Sequence, residues 1–484
     1  MRDAALNALE AALRPGVEYA DVRVVGQRER TLGTKNGKPS QVAESESLGL
    51  GVRVLAEGCW GFAATDDLSK AGVERAAAQA VAIARASALA RIEPVKLAPE
   101  EAYQAVWMSP CLIDPFSLSV DTQLGLLLAI DGELRRNPGI TLAEAALSLR
   151  REHQVFASSI GSVIEQTRTF TGAGYEAYSF RDGELQKRSY PNSFGGQHQL
   201  KGWELIDELR LVENAARIAE EAVALHDAPP CPQGRFDLIL DSSQLALQIH
   251  ESIGHPIELD RVLGSEANYA GMSFLTLDQL DHLRYGSQIV NAVCDARLEH
   301  GPGLGTFAFD DEGVPAQCIQ IIDNGRFTGY MTSRETAAAA GQSRSNGTMR
   351  AASWSRMPLI RMTNVSLLPG PHSLDEVFDA DHAIYMETNK SWSIDDKRYQ
   401  FQFGCEIAWE IRGGKRGRML KNPIYSGITT EFWNACAAIA NREHWTLWGV
   451  PNCGKGQPEQ VIGTGHGASP ARFRGIRIGA GSGE

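Results

Sequence analysis

Two histidines and one glutamate lie within six residues of each other, in the stretch His250-Glu251-Ser-Ile-Gly-His255. Neutral imidazole is the commonest protein ligand for zinc. A carboxylate beside such a site is the usual general base that takes a proton from an attacking water. The residue types in this stretch therefore predict metal-assisted hydrolysis.

The spacing of the two histidines is unusual for a helix. At about 100° per residue, five residues would place His250 and His255 roughly 140° apart, so a regular helix cannot direct both toward one ion. Gly254 lies where a π-bulge would form, and Pro256 disfavours continuation of the helix. We therefore predict a helix over about 243–253 whose irregular last turn swings His255 inward.

A structural interpretation of the same helix stays open. Leu245, Ile249 and Ile253 form an apolar stripe that would bury the helix whatever the histidines do. Histidines on a buried helix can be core residues with satisfied hydrogen bonds. Short motifs of this kind also arise by chance.

A catalytic zinc needs three protein ligands and one position for water, so the two histidines need a third ligand. Glu258 and Asp260 are near in sequence, although Pro256 and the chain reversal limit their reach. His466 and Cys453 lie in glycine-rich segments far along the chain, where the backbone can approach a ligand closely. The residues by themselves leave these alternatives open.

The composition excludes several classes of protein. The chain has 484 residues, which predicts two or three domains, and its net charge of −12 argues against nonspecific binding to nucleic acid or anionic membrane. No apolar run is long enough for a transmembrane helix, and Asp3 and Glu10 argue against a signal peptide. The eight cysteines are scattered without a CxxC pair, so we expect reduced thiols in a cytoplasmic protein.

Strand and helix signals alternate along the chain and predict an α+β protein of two domains. Residues 1–230 are predicted to form strand meanders with long helices. Residues 236–484 are predicted to form a β-rich, barrel-like domain that carries the histidine helix. Three prolines and a glycine predict an extended linker over about 226–235.

Several segments extend the motif into a family resemblance. They are HESIGHPIELDR at 250–261, RMTN at 361–364, TNKSWSIDDKRYQFQFGCE at 388–406, NCGKGQP at 452–458 and GTGHGASPARFRGIRIG at 463–479. Together they resemble the TldD/PmbA family of metalloproteases over nearly the whole chain. The HExxxH motif is typical of the TldD-type catalytic subunit, and the sister TldE (PmbA) subunit lacks it. The resemblance implies that His250, His255 and Cys453 hold zinc and that Glu251 is the general base.

The resemblance also implies how a substrate binds. An unfolded peptide would add as an extended strand beside the zinc, in a cavity closed by a second copy of the chain or by a TldE/PmbA-like subunit. Candidate linings are the predicted strands at residues 307–313 and 349–364. The expected substrate-binding residues are Asp310, Arg361, Asn364 and His466, and the candidate donors to the reacting carbonyl are Arg350, Arg361 and Lys390. The chain departs from the best-known members at Pro256-Ile257 and at KSWSIDDKR (390–398), which leaves substrate preference and partner choice open.

Three alternative functions fit the same residues. A deformylase-like zinc amidase would act on a small acylated substrate. A peptide-maturation protease of a natural-product pathway would use the same chemistry on a dedicated leader peptide. A regulatory or binding subunit would hold a structural zinc, and a fourth ligand such as His466 or Asp260 would favour it.

Overall fold

The computed structural model describes residues 1–269 and 271–481, and its mixture of helices and strands confirms the predicted α+β class. The part that precedes residue 225 contains five α-helices and eight strands. The helices are α1 (Arg2–Ala12), α2 (Lys70–Ala88), α3 (Val120–Leu134), α4 (Glu204–Leu209) and α5 (Leu211–Ala224). The strands are β1 (Val17–Lys35), β2 (Lys38–Ala56), β3 (Cys59–Thr65), β4 (Gln104–Met108), β5 (Leu142–Ser158), β6 (Val163–Arg181), β7 (Glu184–Tyr190) and β8 (Gln197–Gln199).

These eight strands form one sheet in the order β3-β2-β1-β5-β6-β4, with β7 and β8 also paired to β6. Side chains alternate between the two faces of each strand. On β1, Val22 and Val24 therefore face the apolar core under the helices, whereas Arg23 faces the other side and forms an ion pair with Asp311 at 3.7 Å. The polar face of the sheet thus packs against the second half of the chain.

The second half contains the remaining elements. The described helices are α6 (Ser242–Ile249), α7 (Leu259–Val262), α8 (Leu374–Phe378) and α9 (Thr429–Asn434). The described strands are β9 (Gly234–Leu240), β10 (Ala292–Asp295), β11 (Cys318–Asp323), β12 (Arg326–Phe327), β13 (Met349–Arg350), β14 (Leu359–Ile360), β15 (Val365–Leu367), β16 (His382–Ile394), β17 (Gln400–Arg412), β18 (Lys415–Leu420), β19 (Pro423–Ile428), β20 (Cys436–Ile439), β21 (Thr446–Lys455), β22 (Gln460–Ala468) and β23 (Ala471–Ala480).

Five of these strands close into a barrel, which confirms the barrel-like prediction. They follow the order β16-β9-β23-β19-β17, and β17 pairs back onto β16. Strand β9 alternates as a barrel strand should: Leu238 and Leu240 enter the main core, and Ile239 enters a smaller core that includes residues of α8.

The barrel positions the histidine helix. Helix α6 follows β9 directly and has Asp241 as its N-cap, whose carboxylate accepts the N–H of Ser243 at 2.9 Å. The apolar stripe of Leu245, Ile249 and Ile253 is fully buried in the main core, as predicted. Helix α6 packs against β16 on one side and against the β21–β22 hairpin on the other.

The two predicted linings differ from plain strands. Residues 307–313 form turns, because the carboxylate of Asp310 accepts the N–H groups of Glu312 and Val314, each at 2.9 Å, and so replaces the partners that a neighbouring strand would supply. Residues 349–364 contribute only the short paired strands β13 and β14. None of the described helices is both long enough and apolar enough to cross a lipid bilayer.

Candidate metal centre

The histidine helix changes its geometry at the first histidine. Helix α6 ends at Ile249 and continues as a π-turn over His250–Gly254. The N–H of His255 donates to the carbonyl of His250 at 3.1 Å, a bond that spans five residues instead of four. The two imidazoles therefore lie on one face with their ring centroids 4.8 Å apart. The predicted distortion is confirmed, and it occupies the whole last turn.

Gly254 allows the π-turn to pack closely. A β-carbon at this position would lie 2.1 Å from the sulfur of Met362, a side chain that is fully buried. Any larger residue must push the turn or the methionine aside, because protein cores have little free space.

We expect Gly254→Ala to lower the free energy of unfolding by about 1–3 kcal/mol, as overpacking does. Because the displaced turn carries His255, zinc affinity should also fall. Gly132→Ala is a matched control: it lies inside α3, a β-carbon there meets nothing within 4 Å, and stability should rise by up to about 1 kcal/mol. Urea unfolding and zinc titration measure both effects. Equal stability and equal zinc affinity for Gly254→Ala and the wild type would show that the close packing is unimportant.

Cys453 completes a group of three possible metal ligands. It lies on β21, where a register shift between Val450 and Cys453 interrupts the pairing with β22. Its Sγ is 3.9 Å from Nε2 of His255. The ligand atoms of His250, His255 and Cys453 all lie within 4.8 Å of one another, and all three residues are buried. Two imidazole nitrogens and one thiolate are ligands that zinc favours.

Hydrogen bonds behind His250 leave one of its nitrogens bare. The Nδ1–H of His466 donates to the carbonyl of Val365 at 2.9 Å, so its Nε2 is an acceptor. That Nε2 lies 2.8 Å from Nδ1 of His250 and accepts a hydrogen bond from its N–H. Nε2 of His250 then carries a lone pair for a metal. His466 thus lies behind His250, on the side of Nδ1.

The carboxylate of Glu258 accepts a hydrogen bond from His255, as His466 does from His250. Nδ1 of His255 donates to Glu258 at 3.0 Å, which directs Nε2 toward the Sγ of Cys453 at 3.9 Å. Glu258 is fully buried, and although burial raises the pKa of this carboxyl, Lys455 and Arg261 hold it well below its ordinary value.

Glu258 and Asp260, the two carboxylates considered as third ligands, are not part of the group formed by His250, His255 and Cys453. Glu258 contacts the rear of His255, and Asp260 accepts a bond from Nζ of Lys455 at 2.7 Å.

We expect His466→Ala to weaken zinc binding by about 10- to 100-fold, the usual cost of removing a partner that orients a ligand. Without the acceptor, His250 can turn or change its tautomer. His226→Ala is the matched control, because this buried histidine bonds to Ser179 and not to the centre. Competition with a zinc chelator measures both affinities. A loss of the same size in the two variants would show that His466 acts only through general stability.

The protonation states of His250, His255 and Cys453 favour metal binding. Burial lowers the pKa of His250 to about 4 and also lowers the pKa of His255, so both rings are neutral at neutral pH. Burial raises the pKa of the Cys453 thiol, but Arg361 and His255 outweigh it, and the pKa is lowered overall. Neutral imidazoles and an easily ionised thiol are the forms that bind zinc.

Glu251 lies on the same π-turn and has a cationic partner. Its Oε2 accepts from Nη1 of Arg398 at 2.7 Å, and its side chain is 7% exposed. Sequence reasoning did not single out Arg398 individually. Its segment, 390–398, was nevertheless recognised as a departure from the family pattern, and this was the available signal.

The side chains predicted to bind substrate are buried and bonded within the protein. Asp310 organises its own turn, Asn364 donates to a backbone carbonyl and to a hydroxyl, each at 2.8 Å, and His466 contacts a histidine of the centre. One Nη of Arg361 donates to the backbone carbonyl of Cys453. All four side chains therefore have partners within the protein.

The remaining candidate donors are engaged elsewhere. The guanidinium of Arg350 donates to three backbone carbonyls, those of Leu304, Met362 and Gly463. Lys390 donates to the side chain of Asn422 at 3.0 Å. Arg398 is therefore the donor from the 390–398 segment that reaches the centre.

A second group of possible metal ligands differs from the group around His250 because its carboxylate already has a cationic partner. Asp295, His300 and Cys318 also place ligand atoms within 4.8 Å of one another. However, both oxygens of Asp295 already accept from Arg297, at 3.0 Å each. This paired carboxylate is typical of a structural ion pair, so the group around His250 is the candidate metal centre.

Relatives of the whole chain are named as metalloproteases. A metalloprotease of Methanothermobacter thermautotrophicus is 28% identical over 96% of each chain. A zinc metalloprotease TldD homolog of Saccharolobus solfataricus is 29% identical over 43% of this chain and 44% of its own. The fold is similar to that of TldE from Thermococcus kodakarensis, with a TM-score of 0.72, 16% identity, and coverage of 99% of this chain and 100% of that one.

Family models match most of the sequence. The model for the PmbA/TldA metallopeptidase C-terminal domain matches residues 233–479, which is more than half of the chain. The models for domain 1 and the central domain match residues 20–84 and 113–225. The chain therefore belongs to the TldD/PmbA family of metallopeptidases.

Proposed function

We propose that this protein is a zinc-dependent peptidase that hydrolyses unfolded peptides. The observation that carries the proposal is the group of His250, His255 and Cys453, whose ligand atoms lie within 4.8 Å of one another. Glu251 follows His250 on the same turn. The relative named as a zinc metalloprotease supports the choice of metal.

The residues fit a zinc ion with an open position. Three ligands of the types that zinc prefers converge, whereas structural zinc normally has four protein ligands. Zinc in such a site polarises a carbonyl and lowers the pKa of a bound water. His466 and Glu258 orient the two imidazoles. Because His466 accepts from His250, its placement gives no support to a structural, four-ligand site.

Glu251 would act first as the general base for the attacking water and then as the general acid for the leaving amine. It accepts a proton from the attacking water as the oxygen–carbon bond forms, and it then gives that proton to the leaving amine as the carbon–nitrogen bond breaks. Its position directly after His250 keeps the carboxylate beside the ligands. A largely buried site also excludes bulk water, which strengthens each of these interactions.

An extended peptide is the substrate that the family resemblance favours. It would add as a strand beside the centre, held mainly by main-chain hydrogen bonds. By family resemblance, a second copy or a TldE/PmbA-like subunit would close the cavity. The eight free cysteines of the structure support a reducing, cytoplasmic location.

The test compares three substrates with the zinc-loaded chain, alone and together with a TldE/PmbA-type subunit. These are an unstructured peptide of about 30 residues, a tightly folded protein, and a formylated dipeptide. Cleavage of the unstructured peptide alone supports the proposal. Turnover of the formylated dipeptide alone would replace the proposal with a deformylase-like amidase, and cleavage of only one dedicated leader peptide would indicate a maturation protease.

A further inference from the structure

Arg398 brings a positive charge to Glu251 from a distant part of the chain. The two residues are 147 positions apart, and the guanidinium Nη1 lies 2.7 Å from the carboxylate. Their side chains are only 18% and 7% exposed. A contact between two largely buried side chains is not a chance encounter of mobile surface groups.

The turn that carries Arg398 is braced from more than one side. It joins β16 to β17, and Arg398 adopts a left-handed φ of 64°, which residues other than glycine seldom adopt. The N–H of Arg398 donates to the carbonyl of Asp395, and the carbonyl of Arg398 accepts from the hydroxyl of Thr429, both at 2.9 Å. From a separate segment, the N–H of Phe274 donates to the carbonyl of Lys397 at 2.8 Å. The fold therefore fixes the backbone from which this side chain extends to Glu251.

The other cations around the centre have different partners. Lys455 and Arg261 neutralise Glu258, which lies behind His255. Arg361 donates to backbone carbonyls of the β21–β22 hairpin. Among the described residues, Arg398 is the cation recorded against Glu251.

We propose that Arg398 is a catalytic residue that transfers its hydrogen bond from Glu251 to the oxygen of the scissile carbonyl as that oxygen becomes negative. The inference rests on the proposed peptidase function. A base must lie within about 3 Å of the water that it deprotonates, and that water attacks the carbonyl carbon. The guanidinium of Arg398 lies 2.7 Å from this base. It is therefore separated from the carbonyl oxygen that becomes negative by about the length of one carbonyl group.

The movement of charge explains why the guanidinium would change partner. When the water attacks, its O–H bond breaks, its oxygen bonds to the carbonyl carbon, and the proton goes to Glu251. The π electrons of the carbonyl move to its oxygen. Glu251 is now neutral and the carbonyl oxygen carries the negative charge, so the attraction for Arg398 moves with it. When the amine leaves with the proton, Glu251 is again a carboxylate and the resting pair can form once more.

The decisive experiment compares two ligands that differ in charge at the reacting atom. One is a phosphinic pseudopeptide, whose tetrahedral anion resembles the transition state, and the other is the peptide substrate, with its affinity measured in the Glu251→Gln background. We expect Arg398→Met to weaken phosphinic binding by about 100-fold, to change substrate affinity by less than about 3-fold, and to lower kcat by about 100- to 1,000-fold. Calorimetry measures the affinities independently of turnover.

Two further variants give controls. Lys397→Met removes an exposed positive charge from the same turn and should change none of these quantities. Arg398→Lys keeps the positive charge but not the forked geometry of the guanidinium, so it should recover part of the affinity for the phosphinic ligand. This variant replaces Arg398→Met in the experiment if the methionine variant does not fold. Unchanged phosphinic affinity together with reduced kcat would overturn the proposal and leave Arg398 as a positioning residue for Glu251. A wild-type, zinc-loaded chain that neither cleaves peptides nor binds the phosphinic ligand would instead remove the peptidase function itself.

Discussion

Replacing Glu251 with glutamine should abolish measurable peptide hydrolysis, lowering kcat by about 100- to 10,000-fold, the range typical of general acid–base groups. The amide has nearly the shape of the carboxylate and can still accept a bond from Arg398, but it cannot take a proton from water. Because Glu251 is not one of the three converging ligands, the variant should bind zinc as the wild type does. Single-turnover cleavage and metal analysis of the same preparation measure the two properties.

Glu152→Gln is the matched control for this variant. Glu152 is also a buried glutamate paired with an arginine, Arg168, but it lies on β5 of the N-terminal sheet. Its replacement should reduce stability and leave kcat nearly unchanged. If the Glu251→Gln variant keeps zinc and still cleaves peptide at a rate close to that of the wild type, Glu251 is not the base.

Replacing Cys453 with serine should weaken zinc binding by more than about 100-fold, beyond the effect of removing an outer partner. A hydroxyl stays protonated at neutral pH and cannot replace a thiolate as a ligand. Activity at limiting zinc should disappear, and excess zinc should restore part of it. Titration against a chelator of known affinity, followed by activity at each zinc level, gives both numbers.

Cys436→Ser separates this effect from the general cost of altering a buried thiol. Cys436 is also buried, but burial raises its pKa, whereas the pKa of Cys453 is lowered. The Cys436 variant should keep one tightly bound zinc per chain. Equal zinc loss in both variants would indicate that Cys453 affects only folding, and His250 and His255 would then need a different third ligand.

The local features of the centre could be predicted from the sequence because they depend on neighbouring residues. Five-residue spacing, a glycine inside the turn and a proline after it all indicate a distorted last turn, and the structure has a π-turn there. Short strand signals likewise predicted a β-rich, barrel-like domain over residues 236–484. Such signals are short in range, so one sequence contains them completely.

The surroundings of the centre could not be predicted in the same way. Glu258 was a plausible ligand by proximity, yet its role behind His255 depends on where Lys455 approaches it from β21. The contact of Arg398 with Glu251 depends on the closure of the barrel through β16 and β17. The turns at 307–313 depend on the side chain of Asp310 capping amides that a strand would have paired.

The ligands of the centre are also far apart in the order of synthesis. His255 and Cys453 are separated by 198 residues. At about 5–20 residues per second, the second part of the site would emerge from a ribosome about 10–40 s after the first. During that interval the histidine helix exists without its thiolate partner. On the proposed function, a centre divided in this way cannot act on its own nascent chain until the hairpin that carries Cys453 has been made.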